Sequence, residues 1–450
     1  MGLLVSASVS FILGGSLVSA ASNSAGNNPE NPSAADFLRR AYHSSVILGN
    51  YLYIDGGEIS QKTGGMPSHS RLNRVTLSID LTSEWTNASL RMQSIPKGAA
   101  PSSNGGVLWK TPDQKSFFAW GGGISSVSDG NIPPLKVWNF TSDKSGGGSW
   151  TEDTTSSTSM SKAQVIRLVT GSYTAIRDTG YYVGGLVNGQ TDVSAANDPD
   201  TPQQGITTFN FTSEKWTKES SIGLNDFGTS IASKTVSIPA FGSENRGLLF
   251  VLGGKDPGLT AQGKNADLVP LSNITIYNPY IEQWSAQRAT GDVPLARTRF
   301  CAASVKGDNG TYEIFIYGGL SSDISYDEIY VLSIPGFVWL KASYTPLAPR
   351  FEHTCEVAGG RQLISIGGLN SNGHKKGDYL SFWKSPDPFK QGIGVFDMTT
   401  MAWKSSYDPN ASKYETPVVI KQWYSDGGLA QVQWQNKEVA RMFVQDVPGK

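Results

Sequence analysis

The sequence has little charge, few histidines and only two cysteines in 450 residues. Charged residues make up 17% of the chain, and 37 basic residues against 38 acidic ones give a net charge of −1. A nucleic-acid-binding surface needs an excess of basic side chains to neutralise phosphates. The balance therefore argues against a nucleic-acid partner. Apart from the apolar stretch near the N-terminus, which ends at Val18, no run approaches 18 apolar residues. The mature chain is therefore predicted to have no transmembrane helix.

The N-terminal segment has the pattern of a secretion signal. No charged side chain occurs before Glu30, and an apolar stretch ends in the small residues Val18-Ser19-Ala20. This pattern predicts a signal peptide over residues 1–20, cleaved after Ala20, followed by a flexible segment over residues 21–36. The protein is thus expected to be secreted or held at the cell surface. The alternative is a membrane anchor formed by an uncleaved signal.

Glycine and tryptophan are plentiful and recur with a period. The chain has 50 Gly and 12 Trp. A hydrophobic run that ends in Gly-Gly occurs six times, and a Trp follows each copy. The runs are Tyr51–Gly57, Phe117–Gly123, Gly180–Gly185, Leu248–Gly254, Ile314–Gly319 and Leu363–Gly368. The Trp residues are Trp85, Trp150, Trp216, Trp284, Trp339 and Trp403, spaced 55 to 68 residues apart.

Each period is interpreted as four strands, A to D, with Gly-Gly at the end of B and the Trp on D. A lone four-stranded sheet cannot bury both faces, so the units are expected to stack around an axis. The sequence therefore predicts an all-β fold, a six-bladed β-propeller of four-stranded antiparallel blades over residues 37–403. Residues 404–450 are predicted to form a tail packed on the propeller, with a strand at Pro417–Ile420 and a short helix at Asn436–Val444. No seventh blade is expected.

The repeats resemble those of the kelch-repeat family. The resemblance is carried by the segments Ser333–Trp339, Pro349–Cys355 and Arg361–Gly368, which look like secreted or cell-surface kelch proteins of filamentous fungi. It extends over about Phe37 to Trp403. It implies a kelch-type β-propeller that acts as a binding or interaction module.

The antiparallel order of the strands decides which loops share a face. The B–C and D–A loops meet at one end of the propeller, and the A–B and C–D loops meet at the other. The long B–C loop of blade 6 contains Tyr379 and Trp383, and exposed aromatic rings beside polar groups suit a sugar or another polar ligand. The alternative is that these aromatic rings pack on their own blade.

The D–A loops bring further candidate ligand-binding residues to the same face. Three short motifs begin with an arginine and supply these candidates: Arg40, His43, Arg297, Arg350 and His353. The arginines are candidates for binding an anion or a carboxylate. The alternative is that they hydrogen-bond the backbone between inner strands. His43 and His353 are expected to be neighbours where the ring closes, but a metal site made of these two lacks a third ligand.

Copper radical oxidases also use a kelch-type propeller, so the resemblance makes an oxidase one candidate function. Their copper needs two His, two Tyr and a Cys linked to Tyr, and the four His and two Cys of this chain suggest no such set. No cofactor, metal or catalytic residue is therefore assigned. The function expected is a binding module that presents the B–C/D–A face to a glycan or a protein. The alternative is a non-redox enzyme that acts on a small secreted metabolite in the axial mouth.

Two kinds of covalent modification are predicted. Cys301 and Cys355 are expected to form a disulfide between blades 5 and 6, because they lie at positions of opposite parity in neighbouring A strands. The alternative is a pair of buried free thiols. Six sequons permit N-glycosylation: Asn87, Asn139, Asn210, Asn273, Asn309 and Asn410. Of these, Asn139, Asn210 and Asn309 are expected on the A–B/C–D face, which leaves the B–C/D–A face open.

Overall fold

The computed structural model describes residues 31–63, 66–67, 71–72, 74–125, 130–195, 200–258, 267–375 and 377–444. The predicted signal peptide lies outside the described residues, and so does most of the segment 21–36. Among the residues described, no helix is both long enough and apolar enough to span a membrane.

Six four-stranded antiparallel blades form the fold, each built from a continuous stretch of chain, and in blade 5 the short strand Thr290–Gly291 adds a fifth strand parallel to strand D. The innermost strands, A, are Ser44–Leu48, Val107–Lys110, Ser172–Ile176, Lys234–Ile238, Cys301–Lys306 and Thr354–Ala358. Strands B are Tyr51–Asp55, Ser116–Trp120, Thr179–Val183, Leu248–Leu252, Tyr312–Tyr317 and Gln362–Ile366. Strands C are Val75–Asp80, Trp138–Ser142, Ile206–Asn210, Asn273–Asn278, Ile329–Ile334 and Ile393–Asp397. Strands D are Gln93–Pro96, Gly148–Glu152, Lys215–Glu219, Gln283–Arg288, Val338–Lys341 and Ala402–Lys404.

Shorter elements lie in the loops, before blade 1 and in the tail. The helices are α1 (Thr154–Lys162), α2 (Val418–Ser425) and α3 (Lys437–Phe443). Turns of 3-10 helix occur at Val193–Ala195, Ser243–Asn245, Asp308–Gly310, Tyr379–Trp383, Lys390–Gly392 and Gly428–Gln431. The remaining strands are Phe37–Ala41, Glu58–Thr63, Met66–Pro67, Arg71–Leu72, Trp85–Thr86, Leu186–Val187, Thr201–Pro202, Lys255–Asp256, Asp267–Leu268, Thr290–Gly291, Leu320–Ser321, Ile324–Ser325 and Ser406–Tyr407.

The six sheets close into a ring, which confirms the predicted propeller. Strand A of each blade packs against strand A of the next, and strand A of blade 6 packs against that of blade 1. The B strands are the most deeply buried, since every residue of Leu248–Leu252 and of Tyr312–Tyr317 is buried. Alternate side chains of such a strand enter the two gaps beside its blade, so both sheet faces lie in the core.

Blade 1 departs from the predicted pattern. Strand D carries the Trp in blades 2 to 6, but in blade 1 it is Gln93–Pro96, so the assignment of Trp85 to strand D is wrong. Trp85 instead lies in the connection between strands C and D. There it pairs with the tail strand Ser406–Tyr407 and stacks on Tyr407 with ring centroids 5.1 Å apart. The longer C–D connection of blade 1 makes room for this pairing.

The tail crosses the A–B/C–D face of the propeller. After Tyr407 it reaches blade 5, where Thr416 accepts a hydrogen bond from the Asp308 amide (2.8 Å). Further on, the Tyr424 hydroxyl accepts one from the Gly336 amide (2.9 Å). Helix α3 then packs Phe443 against Phe241 of blade 4, with ring centroids 5.3 Å apart.

The prediction of a strand at Pro417–Ile420 is wrong, because these residues begin helix α2. Pro417, with φ −50°, precedes the first helical residue and its carbonyl accepts hydrogen bonds from the amides of Ile420 and Lys421. A proline is favoured at a helix start because its φ is already fixed near the helical value. The short helix expected near the C-terminus is present as α3, and Asn436 caps it by accepting from the Val439 amide.

Candidate functional site

The B–C and D–A loops form the face opposite the tail. At this face the glycine pairs join each blade to the next. The second glycine of each pair donates its N–H to a carbonyl of the following D–A loop, at 2.6 to 3.1 Å. The six pairs are Gly57 to Ser103, Gly122 to Leu168, Gly185 to Ser230, Gly254 to Arg297, Gly319 to Arg350 and Gly368 to Arg40.

The close approach of the blades explains why glycine is needed there. A Cβ on Gly253 would lie 2.7 Å from the Arg297 carbonyl oxygen and 2.8 Å from the Phe300 ring. Its φ of +56° is also a conformation that residues with a side chain rarely adopt. The glycine pair is therefore required both by space and by backbone conformation.

A second set of hydrogen bonds runs around the axis itself. Two residues before each strand A, the chain has a residue with φ between +53° and +62°. We call these six residues the axial belt: Tyr42, Gly105, Thr170, Ala232, Arg299 and Glu352. Five backbone hydrogen bonds of 2.6 to 3.3 Å link neighbouring members. Their donors and acceptors are Gly105 to Tyr42, Tyr42 to Glu352, Glu352 to Arg299, Arg299 to Ala232 and Ala232 to Thr170.

Polar side chains of the axial belt line the mouth of the channel. Arg299 and Glu352, on neighbouring blades, form an ion pair with side chains that are 19% and 17% exposed. Burial lowers the pKa of Arg299, partly offset by the neighbouring Tyr42 and by Asp200. Burial raises the pKa of Tyr42 to about 12. The mouth therefore presents an ion pair and a neutral phenol at physiological pH.

Deeper in the channel, the inner strands carry two more titratable groups. Burial raises the pKa of Glu356 to about 7, although its carboxylate accepts a hydrogen bond from the Ser45 hydroxyl (2.9 Å). Burial, together with the positive charge of Arg299, lowers the pKa of Lys234 to about 8. Both residues are half-buried, as expected for side chains that line a channel.

The predicted arginines are buried and hold the protein backbone. Arg297 donates to the carbonyl oxygens of Leu295 (2.9 Å) and Gly318 (3.2 Å) and pairs with Glu328. Arg350 donates to the carbonyls of Ala348 and Gly367 and pairs with Asp387 at 3.0 Å. Arg40 is likewise buried and donates to the Asn31 side chain (3.0 Å). These contacts favour the structural alternative over ligand binding.

The two predicted histidines lie between blades. The Cε1 atoms of His43 and His353 pack beneath the first glycines of neighbouring blades, Gly367 and Gly318. His43 Nε2 is 3.0 Å from the Thr354 hydroxyl, and the ring of His353 meets that of Tyr317 edge to face. Burial lowers the pKa of both histidines well below the usual value, so both are neutral spacers in the blade packing.

The two aromatic candidates of the blade 6 loop differ in exposure. Trp383 is buried and packs near Tyr42, with ring centroids 6.1 Å apart, so this ring is not on the surface as a ligand platform requires. Tyr379 is 36% exposed and rests edge to face on the buried ring of Phe382. Of the two, only Tyr379 presents a ring to solvent.

Cys301 and Cys355 form the predicted disulfide between blades 5 and 6, with their Cα atoms 5.5 Å apart. They are the first residue of one A strand and the second residue of the next, which gives the opposite parity that the bridge requires. His353 lies beside them, and a ligand atom from each of the three residues falls within 4.8 Å of the others. Because the two sulfurs are bonded to each other, they are not thiolate ligands for a metal.

The sequons differ in their surroundings, and their glycosylation stays a prediction. Asn273, Asn309 and Asn410 are exposed, and Asn309 lies in the A–B turn of blade 5. Asn87 is half-buried. Asn139 lies inside strand C of blade 2. Asn210 ends strand C of blade 3, and its Nδ2 donates to Asp178 (3.0 Å), so a glycan on that nitrogen would disturb this contact.

The sequence found the right motifs but not the residues that face the axis. In Arg40-Ala-Tyr-His43, Arg297-Thr-Arg-Phe300 and Arg350-Phe-Glu-His353, the predicted candidates are the arginine at the first position and, in two of the motifs, the histidine at the fourth. The third position supplies the axial belt residues Tyr42, Arg299 and Glu352. These three residues could have been identified from the sequence, because each lies two positions after the arginine of its motif.

A closed ring of six four-stranded blades joined by glycine pairs defines the chain as a six-bladed β-propeller. It is 26% identical over 417 residues to a kelch repeat-containing protein of Arthroderma benhamiae, a match that covers 83% of this chain. The chain spans 58% of the length of that relative. No family model matches the chain. This likeness to a kelch repeat-containing protein agrees with the six glycine-pair repeats of the chain.

Proposed function

We propose that this protein is a secreted or cell-surface interaction module that binds a protein partner through its B–C/D–A face. One observation carries the proposal. Of the thirteen large apolar side chains that are exposed among the described residues, nine lie on the loops of this face. They are Ile166, Val193, Ile222, Val293, Leu295, Ile324, Leu347, Tyr379 and Leu380. Clusters of exposed apolar residues on a soluble protein mark interaction sites.

The apolar side chains of blades 5 and 6 lie on loops that are bonded together. We call Ile324, Leu347, Tyr379 and Leu380 the loop-face patch; their exposed fractions are 57%, 58%, 36% and 47%. The Ser325 amide donates to the Asn372 side chain of the blade 6 loop at 2.9 Å. The Leu347 amide donates to the Asp327 carboxylate of the blade 5 loop. These links hold the patch in one arrangement, which reduces the entropy cost of binding.

The chemistry of the patch favours a protein over a glycan. Three of its four members are aliphatic, and the aromatic ring best suited to stack on a sugar, that of Trp383, is buried. The tail packs on the opposite face, so it does not compete with a partner for the loop face.

The test compares two sets of substitutions in the secreted full-length protein. One variant carries Ile324→Lys, Leu347→Lys and Leu380→Lys on the loop face. The matched control carries Tyr280→Lys, Ile281→Lys and Val418→Lys, which are also exposed but lie on the opposite face or in α2. Proteins cross-linked to the wild type at the cell surface are identified, and binding of each purified candidate is measured by calorimetry.

We expect a partner that binds the wild type and the control alike and binds the loop-face variant at least 100-fold more weakly. A partner that binds all three proteins equally would overturn the proposal. A glycan array probed in parallel tests the other ligand class, and binding there that is lost with Tyr379→Ala would replace the protein partner with a sugar.

A further inference from the structure

Lys234 is a cation in the axial channel for which the described residues supply no counter-charge. It is the first residue of strand A of blade 4 and lies two positions beyond Ala232 of the axial belt. The described part of the chain offers its ammonium group neither a hydrogen bond nor an ion pair. A half-buried cation of this kind loses part of its hydration, and a nearby anion or other acceptor would offset that cost.

The groups that act electrostatically with Lys234 come from three other blades. The charge of Arg299, in blade 5, lowers the pKa of Lys234. The charge of Lys234 in turn lowers the pKa values of His43 and His353, which precede the A strands of blades 1 and 6. Blade 1 stands opposite blade 4 in a ring of six, so the influence of Lys234 crosses the axis.

These neighbours are donors or cations. Hydrogen bonds to the backbone of Ile366 and Tyr317 act to raise the pKa values of His43 and His353, so their rings are donors and neither supplies a negative charge. Lys255, which follows the glycine pair of blade 4, also has its pKa lowered by burial and by Arg299. Within the group only Arg299 is paired with a carboxylate, that of Glu352. Glu352 and Asp200 offset the charge of Arg299, so the excess of positive charge among the described residues comes from Lys234 and Lys255 of blade 4.

The axial belt limits what can reach Lys234 from this face. Only six residues surround the axis there, and backbone hydrogen bonds hold them side by side. The side chains of Tyr42, Arg299 and Glu352 narrow the opening further. An opening framed in this way favours a small ligand over a folded partner.

We propose that the axial channel binds a compact, multiply charged oxyanion, with Lys234 as its counter-ion and Lys255 and Arg299 at the entrance. The chemical class is that of inorganic phosphate and of small polycarboxylates. The site lies inside the ring and shares no residue with the loop-face patch, so either proposal stands if the other fails.

The experiment is calorimetry on the full-length protein with inorganic phosphate and, separately, citrate, at constant ionic strength set with sodium chloride. The wild type is expected to show saturable binding of at least one of the two. Lys234→Met should weaken that binding at least tenfold. Lys215→Met, which removes an exposed lysine from strand D of blade 3, should leave it unchanged.

A second measurement detects the proton that Lys234 takes up when the anion binds. Because the pKa of Lys234 is lowered to about 8, part of the population is neutral at pH 8, and binding of an anion draws a proton onto the amine. The binding enthalpy of the wild type at pH 8 should therefore vary with the ionisation enthalpy of the buffer. That variation should be lost in Lys234→Met.

If Lys234→Met does not fold, Lys255→Met takes its place. Lys255 lies in a short loop strand at the entrance, so its replacement should leave the fold intact and weaken anion binding severalfold. The proposal is overturned if neither anion shows saturable binding. It is also overturned if Lys234→Met, or Lys255→Met in its place, binds as the wild type does.

Discussion

Glycines with positive φ have different roles according to the space around them. Gly253 and Gly359 have nearly the same φ, +56° and +58°. A Cβ on Gly253 would meet the D–A loop of blade 5, whereas a Cβ on Gly359, in the A–B turn of blade 6, would have no atom within 4 Å. The two positions therefore separate the cost of the backbone conformation from the cost of the close contact.

We expect Gly253→Ala to destabilise the protein more than Gly359→Ala. Both variants put alanine in the left-handed region, at a cost of roughly 1 kcal/mol. Gly253→Ala adds an overpacked contact between blades, at a further cost of about 1–3 kcal/mol. Chemical unfolding of both variants measures the difference, and equal destabilisation would mean that blade spacing does not select glycine.

A channel carboxyl should make stability depend on pH. Burial raises the pKa of Glu356 to about 7 from an ordinary value of 4.5. Between these two pH values the folded protein holds more protons than the unfolded chain, so the free energy of unfolding falls as pH rises from 4.5 to 7.

Glu356→Gln should remove this contribution. The melting temperature of the variant relative to the wild type is expected to rise between pH 5 and pH 8. Some pH dependence should remain, because burial also raises the pKa of Glu313 to about 7. Glu84→Gln, at an exposed position, is the control; a pH-independent difference for Glu356→Gln would show that this carboxyl is not titrating in that window.

Among the elements, the tail helices differ in how they are attached. Helix α3 buries Val439, Ala440 and Phe443, and the Phe443 ring contacts Phe337 of blade 5 with centroids 5.0 Å apart. Helix α2 buries only Ile420, and its Val418 is 80% exposed. Of the two tail helices, α3 is thus the more closely packed, on blades 4 and 5.

Phe443→Ala should therefore lower the free energy of unfolding by about 3 kcal/mol or more, as expected for removal of a buried aromatic side chain. Val418→Ala should change it by less than about 0.5 kcal/mol. Urea unfolding of the two variants checks this. A small effect for Phe443→Ala would mean that the propeller does not depend on its tail.

At the scale of the whole molecule, buried charges help to close the ring. Asp387, in the B–C loop of blade 6, lies 3.0 Å from Arg350 and 3.7 Å from Arg39. Arg39 belongs to the strand that precedes blade 1, so one carboxylate ties the first and last parts of the propeller together. The Asp387 side chain is fully buried.

Asp387→Asn should destabilise the protein by about 3–5 kcal/mol, because it leaves two buried guanidinium groups without their counter-charge. The matched control is Asp113→Asn, which breaks an ion pair 3.7 Å long on the surface and should cost less than about 1 kcal/mol. Differential scanning calorimetry compares the two. Similar melting temperatures for both variants would contradict a role for Asp387 in ring closure.

The sequence alone determined the number of blades, their strand order and the disulfide. Each glycine pair stands at the end of a hydrophobic B strand, where neighbouring blades come so close that a side chain does not fit. Every blade has this close approach, so six glycine pairs in the sequence predict six blades. The sequence also predicts the disulfide, because side chains alternate between the two faces of a strand. Counting along the two A strands therefore shows that Cys301 and Cys355 leave opposite faces, as a bridge between neighbouring blades requires.

Only the tertiary structure decided which side chains reach the channel and which are buried. Arg350 and Glu352 are two residues apart, yet the positive φ of Glu352 turns it toward the axis while Arg350 enters the loop packing. Trp383 is buried by Phe351, Leu369 and other residues distant in sequence. The path of the tail likewise depends on the surfaces of blades 1, 4 and 5. Such outcomes depend on contacts between distant segments, which local periodicity does not encode.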